Sequence, residues 1–222
     1  MFGTLAMLAG VGLLAWAVTV WQWQDPFTAI ENTLEQRELA QQFERQVASV
    51  ATPAPSKRQA AVTTAVPAAA RAWRKELERG DAVARLLLPT LGVEEMVVNG
   101  TDTETLKRGP GRYLGSAMPG EGELVYIAGH RTTYGAPFSR IDRLQKGDRV
   151  VLELPYATFE YEVTGHRIVE ATETSVLESK GVEQLVLQAC HPRFFASHRW
   201  LTYAKPVAVT RPDGERVALS AG

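Results

Sequence analysis

The sequence predicts a mainly β domain, a barrel or a sandwich, carried behind an apolar N-terminal helix. Three observations predict it. Short apolar or alternating runs of strand-forming residues recur from Val83 to Val209, split by Gly and Pro turn signals. Met1 to Trp23 carries no charged side chain. Between residues 49 and 70 Ala, Thr, Val and Pro replace the balanced composition of the rest.

Taken in order, Met1 to Trp23 is rich in Leu, Ala, Val and Gly and long enough for a transmembrane helix, which needs about 20 apolar residues. Trp16, Trp21 and Trp23 suit an interfacial belt at its outer end. A cleaved signal peptide would have a shorter apolar run and a small-residue cleavage site, and none is evident after Val20. Residues 1–23 are therefore read as a signal anchor. Asp25-Pro26 ends the run. Over 24–48, Phe27, Ile30, Leu34, Phe43 and Val47 recur near helical spacing, predicting an amphipathic juxtamembrane helix. Docking on the domain, lying on the membrane, pairing with a copy of itself and acting as a simple spacer are the four readings of such a helix. The stretch 49–70, with Pro53, Pro55 and Pro67, reads as an extended linker with no core. Residues 71–222 form the predicted β domain, entered by a short helix over Arg71–Glu78.

Strands are predicted at Ala84–Leu88, Met96–Val98, Leu124–Ala128, Arg149–Leu154, Ala157–Val163, Leu185–Leu187 and Trp200–Val209. Pro155-Tyr156 predicts a hairpin, and Phe138–Leu144 a helical turn. The formal net charge of −1 offers no field for nucleic acid. With one cysteine, Cys190, neither an intramolecular disulfide nor a cysteine-based zinc cluster is available.

A lone cysteine is ordinarily a small buried hydrophobe. Cys190, however, ends an apolar strand, as does Gly129-His130-Arg131, and Arg199 opens the next strand. Reactive side chains commonly sit at strand ends, aimed into a cleft by a rigid scaffold. A thiolate nucleophile, a proton donor for a leaving amine and a donor for an oxyanion are what acyl transfer from a peptide needs. Cys, His and Arg supply the three, although spacing alone does not bring them together.

Longer motifs add to this. From Ala84 to about Val209 the chain resembles the sortases, most closely those of class E. The likeness rests on Gly100-Thr101-Asp102, Arg108-Gly109-Pro110-Gly111, Pro119-Gly120-Glu121, and above all Ala128-Gly129-His130-Arg131-Thr132-Thr133-Tyr134-Gly135-Ala136-Pro137-Phe138. It resumes at Leu187-Gln188-Ala189-Cys190-His191-Pro192-Arg193 and Arg199. The resemblance implies an eight-stranded β-barrel with short helices. It implies Cys190 as nucleophile, His130 as general acid/base and Arg199 as the oxyanion or substrate donor. It also implies Tyr134, Ala189 and Thr132 as substrate-binding residues. The implied reaction cuts a Leu-Pro-x-Thr-Gly or Leu-Ala-x-Thr-Gly sorting signal between Thr and Gly, then hands the acyl group to an amine of a peptidoglycan precursor or a pilin lysine. The implied location is the cell membrane, single-pass, with the domain on the extracytoplasmic side.

The chain departs from the family's usual Thr-Leu-x-Thr-Cys. It reads Val186-Leu187-Gln188-Ala189-Cys190, so both hydroxyls are gone and a substrate contact beside the nucleophile is expected to be lost. His191, His166 and His198 are given no catalytic role, and Trp200 is read as barrel core. Scattered acidic pairs such as Glu94-Glu95 and Glu121-Glu123 lack calcium-ligand spacing, so no metal or cofactor is expected. A peptidase, in which water resolves the acyl-enzyme, and a non-catalytic sorting-signal-binding scaffold are the competing readings.

Overall fold

The computed structural model describes residues 2–23, 26–50 and 62–219. Three helices come first: α1 (Phe2–Trp23), α2 (Pro26–Val50) and α3 (Val62–Glu76). The strands follow as β1 (Ala82–Leu88), β2 (Val93–Asn99), β3 (Gly111–Arg112), β4 (Leu124–Gly129), β5 (Arg149–Leu154), β6 (Ala157–Glu170), β7 (Gln184–His191), β8 (His198–Thr210) and β9 (Arg216–Ala218). A short helix, α4 (Thr103–Arg108), sits between β2 and β3. Hydrogen bonding runs β6-β5-β1-β2-β3-β4-β7-β8, and β6 pairs back onto β8. The sheet is thus a closed eight-stranded barrel, and closure removes the free edges an open sheet would expose. Strand β9 is extra: it pairs with residues 208–210 of β8, past the stretch that pairs β7.

Alternation along each strand fills the barrel. Leu185, Leu187 and Ala189 of β7 point inward with Val125 and Ile127 of β4 and Val150, Leu152 and Leu154 of β5. Val186 of β7 faces outward, where it packs with Leu124, Tyr126, Val169 and Leu201. Tyr161 and Glu183 form a part-buried polar pair. Tyr161 is fully buried and donates to Glu183 Oε1 at 2.8 Å, and the Glu183 carboxylate also accepts from Gly120 N (2.9 Å) and Gly122 N (3.2 Å). The β5–β6 hairpin forms at Pro155-Tyr156 as expected, while Phe138–Leu144 shortens to a single 3-10 turn at Ile141–Arg143. Trp200 is only partly buried against the core.

The N-terminal third departs from the expectation in three ways. Residues 62–70, read as extended linker, are helical, and α3 belongs with the barrel. Ala is the strongest helix former, and Val66, Ala70 and Trp73 make one face packed on the core, with Trp73 Nε1 donating to Val83 O at 3.1 Å. Packing outweighs the cost of Pro67 inside the helix. The rest of the expected linker, 51–61, lies outside the described residues. Second, α2 docks on the domain, but only by the C-terminal part of the expected face, Phe43 and Val47, joined by Leu39. Leu39 and Phe43 bury against Ala82, Met96 and Val98, whereas Ile30 and Leu34 are exposed. N-terminal to Leu39 the docked face is polar: Gln36 bonds both Met96 N and Met96 O, and Glu35 pairs with Arg108 at 2.7 Å. Third, the expected transmembrane span is an α-helix over Phe2–Trp23 whose described apolar side chains are exposed. Among the described residues no helix is long and apolar enough to cross a membrane. The side chains described in α1 stop at residue 18, and those of Trp21 and Trp23 lie outside the described set.

Candidate active site

Register brings the three expected catalytic residues together. Strands β4 and β7 run parallel with Ala128 opposite Gln188 and Gly129 opposite Ala189, so His130 comes level with Cys190. Strands β7 and β8 run antiparallel with Cys190 opposite Arg199. Three adjacent strands therefore set His130, Cys190 and Arg199 in one row across the sheet. Neighbouring strands lie about 4.8 Å apart. Side chains alternate faces along a strand, so all three share the outward face with Ala128 and Gln188. They line one groove of about 370 Å³ with Tyr126, Gln188, Leu106 of α4 and Leu177 of the β6–β7 connection. Tyr126 Oη donates to Gln188 Oε1 at 2.8 Å and fixes the floor.

The loop after β4 holds the imidazole. Phe138 N donates to His130 O at 3.1 Å and closes the loop, and Phe138 is buried under it. Gly129 is required there, because a Cβ would come within 2.5 Å of the Phe138 ring. Tyr134 lies against the imidazole, with ring centroids 5.1 Å apart, and its backbone is held at a φ of 52°. Burial pushes the His130 imidazole below its ordinary value of 6.5, which favours the neutral ring. Its Nε2 is buried without a hydrogen-bond partner among the described residues. A neutral, unpartnered ring beside a thiol is suited to take up and return a proton. Arg199 closes the β7–β8 loop, donating through Nη1 to Ala196 O (2.7 Å) and His198 O (3.0 Å). A guanidinium carries three further N–H donors on Nε and Nη2.

The expected substrate-binding residues fare less well. Ala189 faces the barrel interior and is fully buried, one step off the groove-facing set, so its side chain packs in the core. Tyr134 and Thr132 do not line the groove; Tyr134 serves it from behind the imidazole. Tyr126, Gln188, Leu106 and Leu177 went unnoticed in the sequence. Gln188 had a signal, since it sits two residues before Cys190 on the same strand face. The described residues contain no group of three or more His, Cys, Asp or Glu able to hold a metal.

The Sortase domain family matches residues 86–207, more than half of the chain. The chain belongs to the sortase family. Sortases are cysteine transpeptidases, and the row of Cys190, His130 and Arg199 supplies the side chains such chemistry uses. The chain is 35% identical over 134 residues to sortase D of Bacillus subtilis, covering 59% of this chain and 66% of that protein. It is 31% identical over 146 residues to sortase SrtE1 of Streptomyces coelicolor, spanning 59% of this chain and 42% of that one. A Clostridium perfringens sortase D5 transpeptidase superimposes with a TM-score of 0.63 at 22% identity, covering 78% of this chain and 98% of that one. Sortase E of Streptomyces avermitilis superimposes at 0.55 with 31% identity, covering 62% and 95%. The resemblance therefore extends to class D as well as class E.

Proposed function

We propose that this protein is a membrane-anchored sortase that cleaves a Leu-Pro-x-Thr-Gly or Leu-Ala-x-Thr-Gly sorting signal between Thr and Gly. The acyl group passes to an amine, from a peptidoglycan precursor or a pilin lysine. The single observation that carries this reading is the strand register that sets Cys190 between His130 and Arg199 on the groove face. Cys190 gives its thiol proton to His130, and the resulting thiolate Sγ attacks the threonine carbonyl carbon. The oxyanion takes a hydrogen bond from Arg199. The C–N bond to glycine breaks, and the departing amine takes its proton from His130. A thioester on Cys190 remains. The acceptor amine attacks it, gives a proton to His130, and expels the thiolate. The uncharged, apolar sequence of residues 1–23 supports an anchor, and the extracytoplasmic side follows from the acceptors the reaction uses.

The test is mass spectrometry of a sorting-signal peptide incubated with the enzyme and triglycine. The ligated product is expected, and Cys190→Ala and His130→Ala abolish it. Arg199→Ala lowers the rate by the equivalent of about 2.7–4 kcal/mol, the worth of one oxyanion donor. Full activity in Cys190→Ala would end the mechanism. Product formed only by water, whatever the amine concentration, would make the protein a peptidase.

A further inference from the structure

Each residue of the row is followed by one that faces the other way, and these make a second row behind it. Arg131 follows His130, His191 follows Cys190, and Trp200 follows Arg199. Arg131 joins the three. Its side chain is only 4% exposed. Nη2 pairs with Asp142 Oδ1 at 3.1 Å, Nη1 donates to the carbonyl of Cys190 at 3.3 Å and meets His191 Nδ1 at 3.0 Å. The guanidinium carbon lies 5.9 Å from the centre of the Trp200 ring, which stands 5.7 Å from the His191 ring. Its Nε is buried without a partner among the described residues.

A buried guanidinium is costly unless fully paired, and this one gives up a hydrogen bond at Nε while reaching the peptide of the nucleophile. Asp142 meets its charge. The other contacts bridge β4 to β7 and β8, the three strands that carry the row. An arginine only donates, so His191 Nδ1 accepts and the His191 proton sits on Nε2. Burial first, then the Arg131 charge and His198, keep His191 below its ordinary value, with Asp142 opposing them.

We propose that Arg131 is a positioning residue for the transpeptidation: it ties the Cys190 carbonyl and His191 to the histidine strand from behind, and so fixes the aim of the thiol at the substrate carbonyl. This rests on Cys190 being the nucleophile. A lysine can keep the pair with Asp142, but its single ammonium does not reproduce the planar fork that holds the carbonyl and the imidazole together. Arg131→Lys is therefore expected to fold with a melting temperature near that of the parent and an unchanged KM for a sorting-signal peptide. Its kcat falls by about 100-fold, as a nucleophile displaced by about 1 Å would give. A wild-type kcat in Arg131→Lys overturns the proposal, as does a kcat loss matched by an equal loss of stability. An independent readout needs no turnover. Nitrogen chemical shifts of His191 in the parent enzyme are expected to show Nδ1 unprotonated at neutral pH, and a mixture of tautomers in Arg131→Lys. A protonated Nδ1 in the parent overturns the proposal even if the variant fails to fold. An inactive parent with the expected His191 signal would sink the proposed function instead.

Discussion

At the scale of single residues, burial sets the protonation states that matter. Glu95 on β2 is pushed up to about 7 by desolvation, and its Oε2 is buried without a hydrogen-bond partner among the described residues. A carboxyl raised above its ordinary 4.5 contributes stability at acidic pH that is lost as pH climbs through 7. Glu95→Gln is therefore expected to leave the melting temperature unchanged at pH 4.5 and to raise it at pH 8, by up to roughly 3 kcal/mol in unfolding free energy. Equal stability of the two proteins at both pH values would remove the argument. His130 carries the opposite sign: a base held below 6.5 loses its contribution as pH falls. The row of His130, Cys190 and Arg199 was legible in the sequence because the histidine and cysteine motifs are long. Ala189 was set beside the substrate because it neighbours Cys190 in sequence, whereas its side chain packs in the core. In a strand, the neighbour of a groove residue faces the core, and residues two apart share its face.

Among the elements, strands were easier to find than their ends. Arg149–Leu154 was placed to the residue because it alternates, while β3, two residues long, has no periodicity to read. The N-terminal turns of helix α3, ahead of the short helix expected from Arg71, were missed because Ala-Thr-Pro composition suggests a linker, and only contact with the barrel reveals the Val66, Ala70 and Trp73 face. Helix α2 was found, but its docking face mixes Leu39 and Phe43 with amides that mimic strand pairing, which hydropathy does not register. Asn32 extends this seam toward the site: its Nδ2 donates to Lys107 O, and its Oδ1 fills the space beside Gly135 in the histidine loop. Leu39 is fully buried, and removing such a side chain costs about 2–5 kcal/mol. In Leu39→Ala, amide exchange across α2 is expected to accelerate while barrel amides keep their protection. Uniform acceleration throughout would show that helix and barrel unfold as one unit.

For the molecule as a whole, the barrel and the anchor are separable claims. If α1 only tethers, a chain beginning at residue 26 should melt in one transition and cleave the same peptide with unchanged kcat/KM, while losing its partition into membranes. A drop in kcat/KM would assign α1 a share in catalysis. The closed sheet also limits how this family member can change. Inserting or deleting one residue within β7 ahead of Cys190 would turn the thiol toward the barrel core and bring a core side chain into the groove. Lineages descending from this enzyme should therefore alter that strand by substitution, or by length changes of two, and place their odd-numbered insertions in the β6–β7 and β7–β8 connections.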